Sequence, residues 1–139
     1  MTPDPLFLTL AEIVDIHADQ IERYGGSTGI RDVTLLDSAI SIPQAGFGDQ
    51  YLHQDIFQMA AAYLYHIVQN HPFVDGNKRV GVASAMVFLE LNRIPVTVTN
   101  EDLAETALGV AQGKMGKAEV AEFFRQHSRK RSGRKRRKE

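Results

Sequence analysis

The chain has 139 residues, no cysteine and a formal net charge of −1, which suits one globular domain with one core and excludes disulfides and thiolate metal sites. Its hydrophobic fraction of 43% separates it from disordered chains, and no apolar run approaches the roughly 20 residues of a membrane helix. The near-neutral total hides two opposed parts: residues 128–139 carry eight bases and one acid, whereas residues 1–127 carry eight bases and sixteen acids.

The opening MTPDPLFLTL has neither a basic start nor a long apolar stretch, so no signal peptide is expected; with the absence of cysteine, a cytoplasmic location and no membrane contact are expected. Thr9-Leu-Ala-Glu12 has the form of a capping box, in which each side chain satisfies a free N–H at a helix start. Leu10, Ile13, Val14, Ile16 and Ile21 follow mostly at helical spacing. Gly25 and Gly26 end that helix, since glycine tolerates the left-handed conformation of a helix stop. A short helix over Thr34–Ile40 stops before Pro43, and Gln44–Gln54 reads as an exposed segment.

Asp55 caps a helix to about Asn70, with an apolar stripe of Ile56, Met59, Ala60, Tyr63, Leu64 and Ile67. After the polar loop His71–Gly76, a strongly apolar helix runs from Asn77 to about Leu91 through Val80, Ala83, Val87 and Phe88. Its small residues Gly81, Ala83 and Ala85 suit a helix packed on several sides. Ile94–Val98 reads as a short extended stretch. Thr99 and Asp102 can form a second capping box for a helix to about Ala111, and Lys117–His127 is a last amphipathic helix with Val120, Phe123 and Phe124 inward. The expected class is all-α, a catalytic domain over residues 1–127. The basic tail 128–139 is expected to be a disordered extension whose attraction to nucleic acid is weak and salt-sensitive.

The chemistry concentrates in the loop between the two most apolar helices, HPFVDGNKR, which places His71, Asp75, Asn77, Lys78 and Arg79 within nine positions. A turn between two core helices is rigidly mounted, as a reactive constellation needs. Asn77 stands at a helix start, where free N–H groups and the helix dipole attract anions. Gly76 allows a sharp bend and close approach of backbone to a phosphate. Lys78 and Arg79 add two cations, completing a phosphate cradle. Asp75 is an oxygen ligand suited to Mg2+, which arrives with phosphates and needs only one or two carboxylates. His71 suits proton removal from a hydroxyl near neutral pH. Singly, these residues have bland readings: a cap, a turn, solvated cations. Together between two buried helices they point to phosphoryl or nucleotidyl transfer.

HPFVDGNKR resembles the Fic family signature H-x-F-x-[DE]-G-N-G-R-x-x-R, matched by His71, Phe73, Asp75, Gly76, Asn77 and Arg79. The segments FLTLAEIVDIHADQIERYGGSTGIRD and FLELNR resemble the Doc, or death-on-curing, toxin branch, so the likeness spans Leu8 to about Arg125. Lys78 replaces the second glycine of GNG, and Val82 stands where adenylylating members carry a second arginine. In the Doc branch this altered pattern goes with transfer of the γ-phosphate rather than of AMP.

The resemblance therefore implies a compact helical bundle acting as a toxin kinase. His71 would activate a target hydroxyl, Asp75 would bind Mg2+, Gly76, Asn77, Lys78 and Arg79 would hold ATP phosphates, and Phe73 would anchor the loop. The implied acceptor is a threonine of elongation factor Tu, whose modification halts translation, and the implied control is a separate Phd-like antitoxin. Gln44–Gln54 occupies the place of the family's target-docking flap. The alternatives are an adenylyltransferase using the same loop and a non-enzymatic protein-binding module. No Walker loop and no H-E-x-x-H is present. His66 and His71, five apart across a helix end, are not expected to form a zinc site, His17 and His127 read as surface or internally satisfied residues, and His53 is a candidate for substrate contact. Thr97–Glu101 only partly matches the family's self-inhibitory helix and reads as a helix cap.

Overall fold

The computed structural model describes residues 4–128. The chain forms α1 (Leu10–Tyr24), α2 (Val33–Ser41), a 3-10 turn (Ile42–Gln44), strands β1 (Gly46–Phe47) and β2 (Gln50–Tyr51), then α3 (Ile56–Asn70), α4 (Asn77–Leu91), α5 (Asn100–Ala111) and α6 (Lys117–Ser128). This is an all-α bundle with one minimal hairpin. The basic residues 129–139 lie outside the described residues, so the expected disorder of the tail is not addressed by the structure.

Local chemistry sets the helix starts. Thr9 accepts from the Glu12 N–H while the Glu12 carboxylate accepts from the Thr9 N–H, a complete capping box. Asp32, Asp55 and Thr99 each accept from the N–H three residues on, at the starts of α2, α3 and α5. At α5 only this one arm is formed, so Thr99 is an N-cap without the reciprocal arm expected from Asp102.

α3 is the central element, packed against α2, α4, α5 and α6. Met59 to Leu64, Ile67 and Val68 are all buried. Tyr63 is fully buried; its hydroxyl accepts from the Leu8 N–H at 2.9 Å, and burial pushes its phenol up to about 12. The small face of α4 lets the two central helices approach closely. A Cβ added at Gly81 would lie 2.9 Å from Val68 Cγ2 and 3.2 Å from the Leu64 carbonyl oxygen, so any larger residue there would force α3 and α4 apart.

Residues 94–98 have no ladder partner among the described residues; they run alongside the end of α6, where the Thr97 N–H donates to the His127 carbonyl at 3.3 Å. The Gln44–Gln54 segment contains a hairpin that the sequence pattern does not show, with Gly46 opposite Tyr51 and Phe47 opposite Gln50. Two-residue strands are too short to leave an alternating pattern in the sequence. Phe47 at its tip is 93% exposed and Leu52 is also exposed.

Candidate active site

The loop between α3 and α4 is built on a knot of backbone contacts. His71 caps α3 in the left-handed region, with φ 52 and ψ 53, a conformation that costs a non-glycine residue about 1–2 kcal/mol. Its side chain is exposed. Phe73 is fully buried and its ring stacks on His17 of α1, centroids 4.0 Å apart and planes 7° from parallel. The expected anchoring role of Phe73 therefore has a partner, His17.

Asn77 begins α4, as expected, and its side chain has a part of its own. It is 4% exposed; its Oδ1 accepts from the Phe73 N–H and its Nδ2 donates to the Phe73 carbonyl, both at 2.9 Å. The side chain thus closes the loop on itself and faces the interior. Only its backbone N–H, in the first turn of α4, remains for an anion.

Asp75 is held from three directions. Oδ2 accepts from the Ser27 N–H at 3.0 Å and Oδ1 from the Gly76 N–H at 2.8 Å. Its carbonyl oxygen lies 3.0 Å from His17 Nε2, which donates to it and so carries the proton. The Ser27 and Gly76 N–H groups, with help from Arg79, hold the carboxyl below the usual carboxylate range. It is therefore ionised at neutral pH, and each oxygen keeps a lone pair for a cation. Gly26 makes room for it: a Cβ there would lie 2.6 Å from Oδ2. Among the described residues no cluster of three or more His, Asp or Glu side chains could hold a metal. A cation here would have one carboxylate from this chain, the pattern of Mg2+ delivered with phosphates.

Gly76, at φ 80, is the N-cap of α4 and offers no side-chain hydrogen bond to the helix. The first-turn N–H groups of Asn77, Lys78 and Arg79 thus lack a side-chain cap, next to the positive helix end. Lys78 is exposed. Arg79 donates to the Gln20 carbonyl at 3.3 Å and the Gly25 carbonyl at 3.0 Å, and its guanidinium lies 5.9 Å from the Tyr24 ring centroid. It ties α4 to the end of α1 while lining, with Lys78, a cavity of about 580 Å³. Val82, Met86, Leu103 and Ala107 make that cavity's apolar wall, and the motif position held by Val82 supplies no charge to it.

His53 and His66 lie around the start of α6, where the Lys117 ammonium donates to both Nε2 atoms at 3.0 and 2.9 Å. Burial and the Lys117 charge lower both imidazoles, His66 to about 4. His53 is thus a buried tether of the segment after β2. His127 Nδ1 donates to the Phe123 carbonyl at 2.8 Å, as an internally satisfied residue. His17 is also satisfied, yet it belongs to the site. Its only signal in the sequence is its place between Ile13 and Ile21 at four-residue spacing, the buried face of α1. Ser27 and Gly26 carry no such signal.

An uncapped helix start, an ionised carboxylate, two cations and an exposed imidazole thus stand together on and beside one rigid loop. The Fic/DOC family model matches residues 7–89, and the chain belongs to that family. It is 32% identical over 114 residues to the protein "Protein kinase doc" of Escherichia phage P1, covering 82% of this chain and 89% of that protein. It is 39% identical over 71 residues to "Toxin Doc" of Mycolicibacterium smegmatis, covering 51% of this chain and 55% of that protein.

Proposed function

We propose that this protein is a Doc-like toxin that transfers the γ-phosphate of ATP to a threonine hydroxyl of a target protein, elongation factor Tu, and so blocks translation. The observation that carries the reading is the uncapped start of α4, with Lys78, Arg79 and the ionised Asp75 around it and the exposed His71 on the same loop. His71 takes the proton of the acceptor hydroxyl as its oxygen attacks the γ-phosphorus, while the bond from that phosphorus to the β–γ bridging oxygen breaks and ADP leaves. The first-turn N–H groups of α4 and the Lys78 ammonium receive the phosphate oxygens and stabilise the charge that spreads over them. Asp75 fits as the ligand of Mg2+, which supplies neutralisation of the phosphate charge when bound. Asn77 and Phe73 keep the loop in shape, and Arg79 fixes it against α1.

The relatives' names support a toxin and a kinase. Val82 supports phosphate over AMP transfer, because the cavity wall lacks the second arginine that would clamp a phosphate chain in the adenylylating orientation. As a toxin, the protein is expected to have a Phd-like antitoxin partner and to act in the cytoplasm. The test is incubation with ATP, Mg2+ and elongation factor Tu, read by intact mass of the target. A gain of one phosphate is expected. A gain of AMP would establish the adenylyltransferase alternative, and no gain with folded protein would refute this acceptor assignment and favour a non-enzymatic binder.

A further inference from the structure

Arg31 lies outside the HPFVDGNKR loop, near the end of the segment FLTLAEIVDIHADQIERYGGSTGIRD, and it stands 40 residues from His71. Its side chain nevertheless reaches the end of α3. Nε donates to the His71 carbonyl at 2.6 Å and Nη2 to the Asn70 carbonyl at 2.9 Å. These are among the last carbonyls of α3, which have no partner within the helix and carry its negative end. A guanidinium is a rigid fork that can hold two acceptors at once. The backbone of the same segment holds the next carbonyl: the Arg31 and Asp32 N–H groups both donate to Pro72 O, at 2.7 and 3.0 Å. Three successive carbonyls, of residues 70, 71 and 72, are thus gripped from one short stretch. That stretch is itself fixed, because Asp32 caps α2 and the Asn70 side chain donates to the Leu35 carbonyl at 3.0 Å.

The grip falls on a strained residue. His71 and Arg93 are the two non-glycine residues with positive φ among those described. A histidine keeps the left-handed conformation only where its surroundings over-determine it. The backbone direction at His71 in turn sets where its exposed imidazole points.

We infer that Arg31 is a positioning residue for His71. It locks the left-handed backbone at the end of α3 and thereby aims the imidazole at the acceptor hydroxyl. This rests on the proposed role of His71 as the base. The device separates aim from stability: Arg31 is exposed and belongs to no packed core, so its loss should loosen one turn without unfolding the bundle.

The test compares full-length wild type, Arg31→Ala and Arg31→Lys, with His71→Ala as a control. Turnover of ATP with the acceptor, the His71 backbone and imidazole NMR resonances, and thermal stability are measured for each. Arg31→Ala should lower kcat on the order of 10–100-fold, the scale of a small misplacement of a reacting group, with KM for ATP unchanged. The His71 resonances should shift or broaden while Tm stays near the wild-type value. Arg31→Lys keeps the charge but not the fork, so it should recover only part of kcat. Unchanged kcat in Arg31→Ala would overturn the inference, as would a fall in Tm with the His71 resonances unmoved, which marks a plain helix cap. If wild type and His71→Ala turn over equally, the proposed function fails instead; the His71 resonances then still decide whether Arg31 fixes this residue.

Discussion

Replacing Asn77 by alanine separates a structural clamp from a ligand contact. In the wild type the Asn77 amide pairs with both the N–H and the carbonyl of Phe73, a residue with no exposed surface. Alanine removes both partners, and neither Phe73 group can reach water without moving the loop. Each buried group left unpaired costs about 1–3 kcal/mol, so the pair costs about 2–6 kcal/mol. Alanine is the better helix former and returns at most ~0.7 kcal/mol of this. A chain of 139 residues has an unfolding entropy such that each kcal/mol shifts Tm by about 3–4 °C. Asn77→Ala should therefore lower Tm by roughly 5–18 °C, measured by far-UV circular dichroism. Hydrogen exchange at the Phe73 amide should also become faster. Activity should fall too, but that alone does not discriminate. A variant that loses transfer while keeping Tm within about 3 °C, less than one kcal/mol by the same scale, and wild-type exchange at Phe73 would refute the clamp and return the Asn77 side chain to the ligand.

The remaining predictions address the chemistry and its pH limits. His71→Ala should lower the transfer rate about 10²–10⁴-fold with helix content unchanged by circular dichroism; full activity would remove His71 from the mechanism. Asp75→Asn should weaken the dependence of transfer on Mg2+, and an unaltered Mg2+ titration would exclude Asp75 as the ligand. The same substitution tests linkage: the Asp75 carboxyl is held low by the Ser27 and Gly76 N–H groups, so its contribution to stability is present above an unfolded pKa of about 3.9 and is lost as pH falls through the lower folded value. Wild type should thus lose stability below about pH 4 more steeply than Asp75→Asn. His66, lowered to about 4 by burial and by Lys117, acts at higher pH. Its neutral form contributes stability that is full above about pH 6.5 and is lost as pH falls towards its folded pKa of about 4. His66→Gln should flatten the fall in Tm across that window, and equal pH profiles for the two proteins would show that His66 does not titrate in this way.

The helices and the site loop were legible because their signals are local. Thr9, Asp55 and Thr99 act on N–H groups three residues away, and the buried stripes of α3 and α4 repeat every three or four residues. The family likeness was legible for the same reason, since His71 to Arg79 is one contiguous segment that a single loop conformation must serve. Tertiary structure alone decided what surrounds that segment. His17 meets Asp75 across 58 residues, Ser27 meets it across 48, and Arg31 meets His71 across 40. Helical periodicity places such residues on a face but does not say which loop that face will meet. The side chain of Asn77 shows the limit most sharply: its place at a helix start marks its backbone N–H, whereas only the fold shows that its amide pairs with both backbone groups of the buried Phe73, each of which would cost about 1–3 kcal/mol if left unpaired. The sequence by itself marks the segment His71–Arg79 as the candidate site; the packing of α1 and the segment after it decided which of its side chains are buried and hold the loop still and which stay exposed.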